Sequence, residues 1–501
     1  MLQVENLRVG YGASIAVDGV SFQVQRGEAL GLVGESGCGK SSIARAVMGL
    51  LPSNGWHTGQ VHKEGKIGWI FQDPMTRLNP LLTMAQHGIE TLKANFPRIS
   101  VRTAKQKFAE MLALVRLDPR CAHQYAHELS GGQRQRVMIA LTLLLDPQVL
   151  IADEPATSLD SMVAHEILGE LARLRTDRGL ALILISHDLG LVGRYCDRVA
   201  VMCEGLIVEM GNTADILAQP QHPYSAYLVN SAIRWGDRHQ SPKETSAPLL
   251  VVQDLRKTYH VGWGKRVVAV DGVHLTLHDR ETLAVIGGSG SGKSTTARLI
   301  LQLIPADGGS IRFQGQELRG LPPAQLRKIR PHLQMIFQDP KACFHPYLSI
   351  LDSVADVLLF HQLAVDRFHA HQEALAMLDR VGVSPSLSRR FPKELSGGQL
   401  QRSAIARALT LKPQLLICDE PVSMLDAPIQ RQVLELLLEL QEELGLSYLF
   451  ISHDLAVAQF MDDRVAVMHK GQIVEEGTVD QVVNAPAHPY TRALLASYGR
   501  N

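Results

Sequence analysis

Short apolar runs followed by glycine-rich or acidic turns recur along the chain. Residues 29–33 are apolar and lead into a glycine-rich loop, after which residues 41–50 have the spacing of a helix. Residues 149–152 and 182–185 are further continuous apolar runs, which are typical of strands buried on both faces. Such strands alternating with helices predict an α/β domain with a largely parallel sheet.

This pattern occurs twice. GESGCGKSS at residues 34–42 returns as GGSGSGKST at 287–295, and IFQDP at 70–74 returns at 336–340. From there the copies stay in constant register through LSGGQ, an acidic pair, a histidine and the tripeptide His-Pro-Tyr. Motifs that recur in one order indicate the duplication of a whole domain. The second copy is longer before IFQDP, and we expect much of the extra length in the charged stretch QELRGLPPAQLRKIRPH.

The polar segment WGDRHQSPKETSAP, which contains two prolines, lies between the two copies. Its composition is that of a linker. We therefore predict a first domain over residues 1–234, a linker over residues 235–248 and a second domain over residues 249–501.

Composition and charge exclude several classes of protein. The 501 residues are 46% hydrophobic, and fifty basic residues balance fifty acidic ones, so we expect no nucleic-acid partner. The six cysteines show no paired CxxC spacing, which fits a reducing compartment and offers no metal or cluster site. The start MLQVENLRVGYG lacks the pattern of a signal peptide, and every apolar run is shorter than the roughly 18 residues of a membrane span. We therefore expect a chain that does not cross a membrane.

The glycine-rich loops have the spacing of phosphate-binding P-loops, G-x-x-x-x-G-K-S. In such a loop, backbone N–H groups point at phosphate oxygens and the following helix offers its positive end. The lysine reaches the β- and γ-phosphates, and the serine after it ligates Mg²⁺. The predicted nucleotide-binding residues are Gly34, Ser36, Gly37, Cys38, Gly39, Lys40, Ser41 and Ser42 in the first copy and Gly287, Ser289, Gly290, Ser291, Gly292, Lys293, Ser294 and Thr295 in the second.

Each copy also contains an apolar run that ends in two carboxylates, VLIADE and LLICDE. A strand that ends there delivers Asp153 or Asp419 to the metal. Glu154 or Glu420 then lies beside the γ-phosphate, where in-line hydrolysis needs a base or a group that orients water. We predict that the aspartates are metal ligands and that the glutamates are catalytic.

Together these motifs resemble the nucleotide-binding domains of ATP-binding cassette (ABC) proteins, over almost the whole chain and twice. LSGGQ is the hallmark of that family, and its place between IFQ and the acidic pair matches the family's order. The resemblance implies two tandem P-loop NTPase domains, each with a mostly parallel core sheet, an antiparallel β subdomain and an α-helical subdomain. It also implies ATP hydrolysis, with ATP and Mg²⁺ as cofactors.

The resemblance assigns roles to two polar loops in each copy. It implies that Gln72 and Gln338 ligate Mg²⁺ and lie in loops that face a transmembrane partner. It implies that His187 and His453 contact the γ-phosphate and take part in catalysis.

Further nucleotide contacts are implied at two more places in each copy. Tyr11 and Tyr259 match the aromatic that stacks on adenine, although a lone tyrosine is usually a packing residue. The segments Ser158-Leu159-Asp160 and Met424-Leu425-Asp426 match the stretch that links two ATP sites, with Asp160 and Asp426 as nucleotide-site residues.

In this family two domains stack head to tail, and each LSGGQ closes over nucleotide held by the P-loop of the other domain. A serine hydroxyl and glycine N–H groups at a helix N-terminus suit a γ-phosphate. Since neither copy lacks its Lys, Glu or His, we expect both sites to hydrolyse ATP. The resemblance pairs the P-loop of Lys40 with Ser396, Gly397, Gly398 and Gln399, and that of Lys293 with Ser130, Gly131, Gly132 and Gln133.

The tails QPQHPYSAYLVNSAI and APAHPYTRALLASYG resemble those of importer ATPases for oligopeptides, dipeptides and nickel. Physically, HPY also suits a helix that begins with Pro in its first turn. The resemblance implies two transmembrane permease subunits, an extracytoplasmic solute-binding protein and a peripheral place on the cytoplasmic face of the inner (plasma) membrane. Because the Gln72 loop continues DPMTRLNP and the Gln338 loop DPKACFHP, we expect two different permease subunits.

Other interpretations stay open. One alternative is a soluble twin-ABC ATPase acting on ribosomes, which the short linker and balanced charge disfavour; another is the ATPase of an exporter, which the HPY tails disfavour.

No cysteine follows Cys418, so we predict no iron–sulfur cluster. His369 and His371 lack further ligands and fit a surface helix better than a metal site. We also expect the thiol of Cys38 to make the first P-loop sensitive to alkylation.

Overall fold

The computed structural model describes residues 1–157, 159–233, 236–237, 247–261, 265–461 and 464–497. They form two compact units, Met1–Ala232 with Asp426–Pro428, and Ile233–Leu425 with Ile429–Asn501. Most of the predicted linker 235–248, together with Ser158, lies outside the described residues. The predicted domain boundaries therefore stay predictions.

The strands of the first unit form a small antiparallel sheet and a larger, mostly parallel one. They are Leu2–Tyr11 (β1), Ser14–Val24 (β2), Ala29–Val33 (β3), Gly55–Lys63 (β4), Ile67–Ile70 (β5), Val149–Asp153 (β6), Ala181–Ile185 (β7), Arg198–Cys203 (β8) and Leu206–Asn212 (β9). The small sheet has the order β2-β1-β4, and the larger has the order β5-β6-β7-β3-β8-β9, in which β8 and β9 pair antiparallel. The central strands β3, β6 and β7 are buried at every position, as their apolar runs predict.

The helices of the first unit begin where the sequence supplies a side-chain cap, except the first helix, which follows Gly39. They are Lys40–Met48 (α1), Met84–Asn95 (α2), Val101–Leu114 (α3), Gly131–Leu143 (α4), Ser161–Arg178 (α5), Leu189–Tyr195 (α6), Thr213–Ala218 (α7) and Pro223–Ser231 (α8). Thr83 caps α2, Ser100 caps α3, Ser130 caps α4 and Asp160 caps α5. The helix predicted over residues 41–50 ends earlier, because Gly49 adopts the left-handed conformation (φ 69°).

A helical layer of α2, α3 and α4 packs beside the larger sheet. Met84 and Leu92 from α2 lie in the same hydrophobic cluster as Phe108 from α3 and Val137 from α4. This layer fixes the position at which α4, and therefore LSGGQ, begins.

The second unit repeats this architecture. Its strands are Pro248–Val261 (β10), Lys265–His278 (β11), Thr282–Ile286 (β12), Gly308–Phe313 (β13), Gln316–Glu317 (β14), Leu333–Ile336 (β15), Leu415–Asp419 (β16), Ser447–Ser452 (β17), Arg464–His469 (β18) and Gln472–Thr478 (β19). The small sheet has the order β11-β10-β13-β14, and the larger has the order β15-β16-β17-β12-β18-β19. The predicted α/β fold with a mostly parallel sheet is confirmed in both units.

The second unit contains an inserted segment that has no counterpart among the described residues of the first unit. The helices of the second unit are Lys293–Ile300 (α9), Pro323–Ile329 (α10), Ile350–Phe360 (α11), Arg367–Arg380 (α12), Pro385–Ser388 (α13), Gly397–Leu409 (α14), Ala427–Leu444 (α15), Leu455–Met461 (α16), Val479–Asn484 (α17) and Pro489–Ser497 (α18). The insertion consists of β14, α10 and a short 3₁₀ turn, Arg330–His332. It lies in QELRGLPPAQLRKIRPH, where the extra length was expected.

None of the described helices combines the length and the apolar character that crossing a membrane requires.

Candidate functional site

Each P-loop connects a buried central strand to the first helix of its unit, and its glycines are required by close backbone contacts. A Cβ added at Gly34 or Gly287 would come within 2.2 Å of a carbonyl oxygen on the neighbouring strand. Gly39 and Gly292 adopt φ values of 107° and 108°, and a Cβ there would lie 2.5 or 2.3 Å from a carbonyl oxygen. A side chain at any of these positions would force the loop to move.

The P-loop lysines are buried and bent back over their own loops. Lys40 Nζ donates to the carbonyl oxygens of Gly34 (2.7 Å) and Glu35 (2.9 Å). Lys293 Nζ makes the same two bonds, at 2.7 Å to Gly287 and 3.0 Å to the next residue. The ammonium group is thereby held over the concave loop, where it can bind phosphate oxygens.

A hydroxyl and a carboxylate meet at the edge of each P-loop. Ser41 Oγ donates to Asp153 at 3.1 Å, and Ser294 Oγ donates to Asp419 at 2.9 Å. Both aspartates are buried at the ends of β6 and β16. Burial raises the pKa of each aspartate, and the serine hydrogen bond lowers it only in part.

These oxygen pairs fit the Mg²⁺ ion that the resemblance implies. Mg²⁺ is usually held by one or two carboxylates together with substrate phosphates rather than by an all-protein cage. A buried carboxylate whose pKa is raised by burial gains from a nearby cation, because the cation favours its charged form. Within the described ranges no group of three or more His, Cys, Asp or Glu is placed to hold a metal ion by itself.

Glu154 follows Asp153 directly, and its carboxylate is held by three side chains. Its backbone adopts φ 48°, a conformation uncommon for a residue other than glycine. Gln72 donates to Oε2 at 2.7 Å and Thr157 donates to the same oxygen at 2.9 Å, while His187 Nδ1 lies 3.2 Å from Oε1. Both carboxylate oxygens are therefore fixed in orientation.

Glu420 has nearly the same environment in the second unit. It also has a positive φ, of 49°. Gln338 donates to Oε2 at 2.8 Å, and His453 Nδ1 lies 3.0 Å from the same oxygen. Ser423 takes the place of threonine, and its hydroxyl donates to the backbone carbonyl of Glu420 at 3.2 Å.

The glutamate and histidine of each site stabilise each other's charged form. Burial raises the pKa of Glu154 and Glu420, but the hydrogen bond and charge of the histidine outweigh burial, so the net shift is downward. Burial lowers the pKa of His187 and His453, and the glutamate reverses this, so the net shift is upward. Near neutral pH the carboxylates are ionised, as a base requires.

LSGGQ begins a helix in both units. Ser130 Oγ accepts from the N–H of Gln133 at 3.3 Å, and Gln133 Oε1 accepts from the N–H of Ser130 at 2.9 Å. Ser396 and Gln399 form the same capping box, at 3.3 and 3.0 Å. Both serines are exposed.

The second glycine of LSGGQ has a packing role that the sequence pattern did not indicate. A Cβ at Gly132 would lie 2.5 Å from Val163 of α5, and one at Gly398 would lie 2.4 Å from Ile429 of α15. These glycines allow the two helices to approach closely.

The two predicted adenine-stacking tyrosines have different surroundings. Tyr11 donates from its hydroxyl to Ser42 Oγ at 3.1 Å, which brings it onto the P-loop helix α1. Tyr259 is partly exposed, and the Lys257 ammonium lies 5.7 Å from its ring centroid. Thr295, the counterpart of Ser42, lies in the first turn of α9.

The remaining residues of the two P-loops differ in their exposure to solvent. Ser36, Gly37, Ser289 and Gly290 are exposed at the tips. Ser291 is buried.

The structure argues against alkylation sensitivity at Cys38. The thiol is buried, with Sγ 3.6 Å from Lys40 Nζ, and burial raises its pKa more than the lysine lowers it. Since the thiolate is the reactive species, burial and the raised pKa disfavour alkylation of Cys38, and its sensitivity to alkylation stays a prediction.

The aspartates predicted to link the two ATP sites lie at helix starts. Asp160 accepts from the N–H of Val163 at 3.0 Å and caps α5. Asp426 directly precedes α15. Their role between the sites stays a prediction.

The sequence pattern missed one contact at each P-loop. The tyrosine of HPY reaches the loop of its own unit, where Tyr224 accepts from the N–H of Glu35 at 3.2 Å and Tyr490 accepts from that of Gly288 at 2.8 Å. The recurrence of HPY in constant register was the signal available, but spacing alone does not show what the tail touches.

The P-loop, the hydroxyl–carboxylate pair and the oriented glutamate define the class of the protein. In each unit they are the parts of a P-loop nucleoside triphosphatase.

Comparison with known proteins narrows this class. The family model described as ABC transporter matches residues 17–157 and 270–423, and that of the oligopeptide/dipeptide transporter C-terminal region matches residues 208–253 and 474–501. The chain is 38% identical to the glutathione import ATP-binding protein GsiA of Pectobacterium atrosepticum, over 99% of this chain and 89% of that protein. It is 40% identical to the uncharacterized ABC transporter ATP-binding protein YejF of Escherichia coli, over 99% of both. It is 39% identical to the peptidoglycan transport ATP-binding protein YejF of Agrobacterium fabrum, over 99% of this chain and 96% of that protein.

The chain therefore belongs to the ATP-binding proteins of the ABC transporter family and is an ATPase. The family and the fold that the motifs predict are confirmed.

Proposed function

We propose that the chain is the ATP-hydrolysing motor subunit of an ABC importer for peptides or a related small solute. The HPY tail carries this proposal, because both copies match the C-terminal region of oligopeptide/dipeptide transporters. Two relatives are named for glutathione import and for peptidoglycan transport, and both compounds contain peptide bonds. These names favour a peptide cargo over nickel, the other cargo that the motifs left open.

Hydrolysis at each site is proposed to use Glu154 or Glu420 as the base. The P-loop N–H groups and its lysine would hold the phosphates, and the serine–aspartate pair would hold Mg²⁺, which would neutralise charge on the phosphates. The ionised glutamate accepts a proton from the attacking water, and it is kept in orientation by Gln72 and His187 in the first unit. The histidine, with its raised pKa, can also donate to a phosphate oxygen.

We propose that each ATP is bound between the P-loop of one unit and LSGGQ of the other. Each unit has an intact P-loop, an intact glutamate and an LSGGQ whose capping serine is exposed, which supports a reciprocal pair of sites. ATP binding then favours the closed arrangement, because ATP contacts both units only when they are closed. Hydrolysis removes that preference and the units separate.

Two different permease subunits are the proposed membrane partners, on the cytoplasmic face of the inner membrane. The loops after Gln72 and Gln338 expose a large apolar side chain at the same position, Leu81 (81% exposed) in the first unit and Tyr347 (82% exposed) in the second. Exposed apolar side chains of this size suit a protein interface. The different residues support different partners, and an extracytoplasmic solute-binding protein completes the proposed importer.

Co-purification tests this proposal. The tagged chain, extracted from native membranes in mild detergent, should elute with two different hydrophobic membrane proteins. The double variant Leu81→Asp, Tyr347→Asp should lose both, while the matched control Leu206→Asp, at an exposed leucine on β9, should keep them. Recovery with ribosomes, or without any membrane protein, would reject the proposal.

A further inference from the structure

In each unit a hydrogen bond joins the tyrosine of the HPY tail to the P-loop. Tyr224 accepts from the N–H of Glu35, a residue 189 positions away in the chain, at 3.2 Å. Tyr490 accepts from the N–H of Gly288, 202 positions away, at 2.8 Å. The bond occurs in both units, so it follows the duplicated fold and not a local accident of one loop.

The peptide bonded by the tyrosine is the same peptide that receives the P-loop lysine. In the first unit, the carbonyl oxygen of Gly34 accepts from Lys40 Nζ at 2.7 Å, while the N–H on the other side of that peptide bonds to Tyr224. In the second unit, Lys293 Nζ bonds to Gly287 at 2.7 Å. A planar peptide bonded on both edges has little freedom to rotate.

Hydrogen bonds also hold the start of α8, the helix that carries Tyr224. His222 caps α8 by accepting from the N–H of Tyr224 at 3.2 Å, and Glu209 on β9 accepts from the N–H groups of Gln221 (2.9 Å) and His222 (3.1 Å). The tail is therefore fastened to an edge strand of the larger sheet.

The second unit repeats this support. Glu475 on β19 accepts from the N–H groups of Ala487 (2.7 Å) and His488 (3.0 Å). The Tyr490 ring also stacks on His469, with centroids 3.8 Å apart.

We propose that Tyr224 and Tyr490 are positioning residues for ATP binding, each holding the P-loop peptide that orients the lysine and thereby linking the HPY tail to the phosphates. This inference rests on the proposed binding and hydrolysis of ATP at the two P-loops. The tyrosines do not touch the reacting atoms, so they act on how tightly the phosphates are held. They give the HPY motif a role beyond starting a helix.

Removal of the two hydroxyl groups tests the inference. In the purified full-length chain, Tyr224→Phe with Tyr490→Phe should raise the KM for ATP about 3- to 10-fold, because each variant loses one hydrogen bond of ordinary strength. The kcat should stay within about twofold, since Glu154 and Glu420 are unchanged. The KM for GTP should rise by the same factor, because the loop holds phosphates and not the base.

The matched control is Tyr195→Phe, which removes a hydroxyl bonded to His165 on α5, away from the loop. It should lower the melting temperature about as much as Tyr224→Phe or Tyr490→Phe alone and leave the KM for ATP unchanged. A tail variant whose KM is unchanged would overturn the inference. A fall in kcat by the same factor as the rise in KM, together with a lower melting temperature, would also overturn it, because these changes would indicate a structural role only. A wild-type chain that does not hydrolyse ATP would instead reject the proposed function itself.

Discussion

At the residue scale, the glutamate after each buried strand is held in an unfavourable backbone conformation. The positive φ of Glu154 and Glu420 costs about 1–3 kcal/mol each, and it persists because the surrounding contacts fix it. The result is a carboxylate turned back toward Gln72 and His187 instead of along the strand. Backbone strain and hydrogen bonding therefore act together to aim the proposed base.

Replacing both bases should stop turnover without stopping binding. We expect Glu154→Gln with Glu420→Gln to lower the steady-state kcat for ATP by about 100-fold or more, because general-base catalysis contributes on this order. Glu373→Gln, at an exposed position on α12, is the matched control and should leave kcat unchanged. Undiminished hydrolysis by the double variant would reject the assigned base.

The glutamate–histidine pairs should make stability depend on pH. The raised histidine pKa gives stabilisation that is complete below the unfolded value of about 6.5 and is lost as pH rises through the folded pKa. The lowered glutamate pKa gives stabilisation that is present above the unfolded value of about 4.5 and is lost as pH falls through the folded pKa. The pairs contribute most between these two unfolded values.

Thermal unfolding at two pH values checks the expected pH dependence of stability. We expect His187→Gln with His453→Gln to lower the melting temperature by a few degrees near about pH 5.5 and by less near about pH 8.5. The exposed His57→Gln is the control. A larger effect at the higher pH would contradict the paired ionisation.

Much of the site was predictable from spacing, and the rest depends on strand order. The P-loop and the acidic pair are local patterns, so Lys40 and Glu154 were named from the sequence alone. The contacts of Glu154 with Gln72 and His187 arise because β5, β6 and β7 are neighbours in the sheet, which residue spacing does not encode. Tyr224 was missed for the same reason.

At the scale of the element, LSGGQ forms the N-terminus of a helix in both units, whatever it binds. Its serine and glutamine cap each other in both units, as a serine three residues before glutamine predicts. The capping box was readable from the sequence. The need for the second glycine was not, because it comes from α5 and α15 packing against the first turn of α4 and α14.

Neighbouring glycines of one motif should therefore differ in their tolerance of alanine. Gly398→Ala places a Cβ 2.4 Å from Ile429, and we expect a loss of about 1–3 kcal/mol in the free energy of unfolding. Gly397→Ala, the matched control, places its Cβ at 3.5 Å from Leu425 and should cost less. Denaturant unfolding of the full chain measures both. Equal losses would contradict the packing explanation.

At the scale of the whole molecule, the chain contains two equivalent sets of site residues. The P-loop, the oriented glutamate and the capped LSGGQ recur with nearly the same distances in both units. The main differences lie elsewhere: in the insertion around α10 and in the loops that expose Leu81 or Tyr347. This division suits a molecule with two like catalytic sites and two unlike partners.

The number of bound ATP molecules tests the proposal that LSGGQ of one unit serves the P-loop of the other. In the Glu154→Gln, Glu420→Gln background, gel filtration with radiolabelled ATP should recover two ATP per chain. Ser130→Arg should leave one, while the control Ser100→Arg, at the capping serine of α3, should leave two.

Pairing Ser130→Arg with each P-loop lysine then gives the decisive comparison. Combined with Lys293→Ala it should still leave one ATP, because both changes damage the same site. Combined with Lys40→Ala it should leave none, because each change damages a different site. The reverse result, one ATP with Lys40→Ala and none with Lys293→Ala, would show that each LSGGQ serves its own unit and would contradict the account.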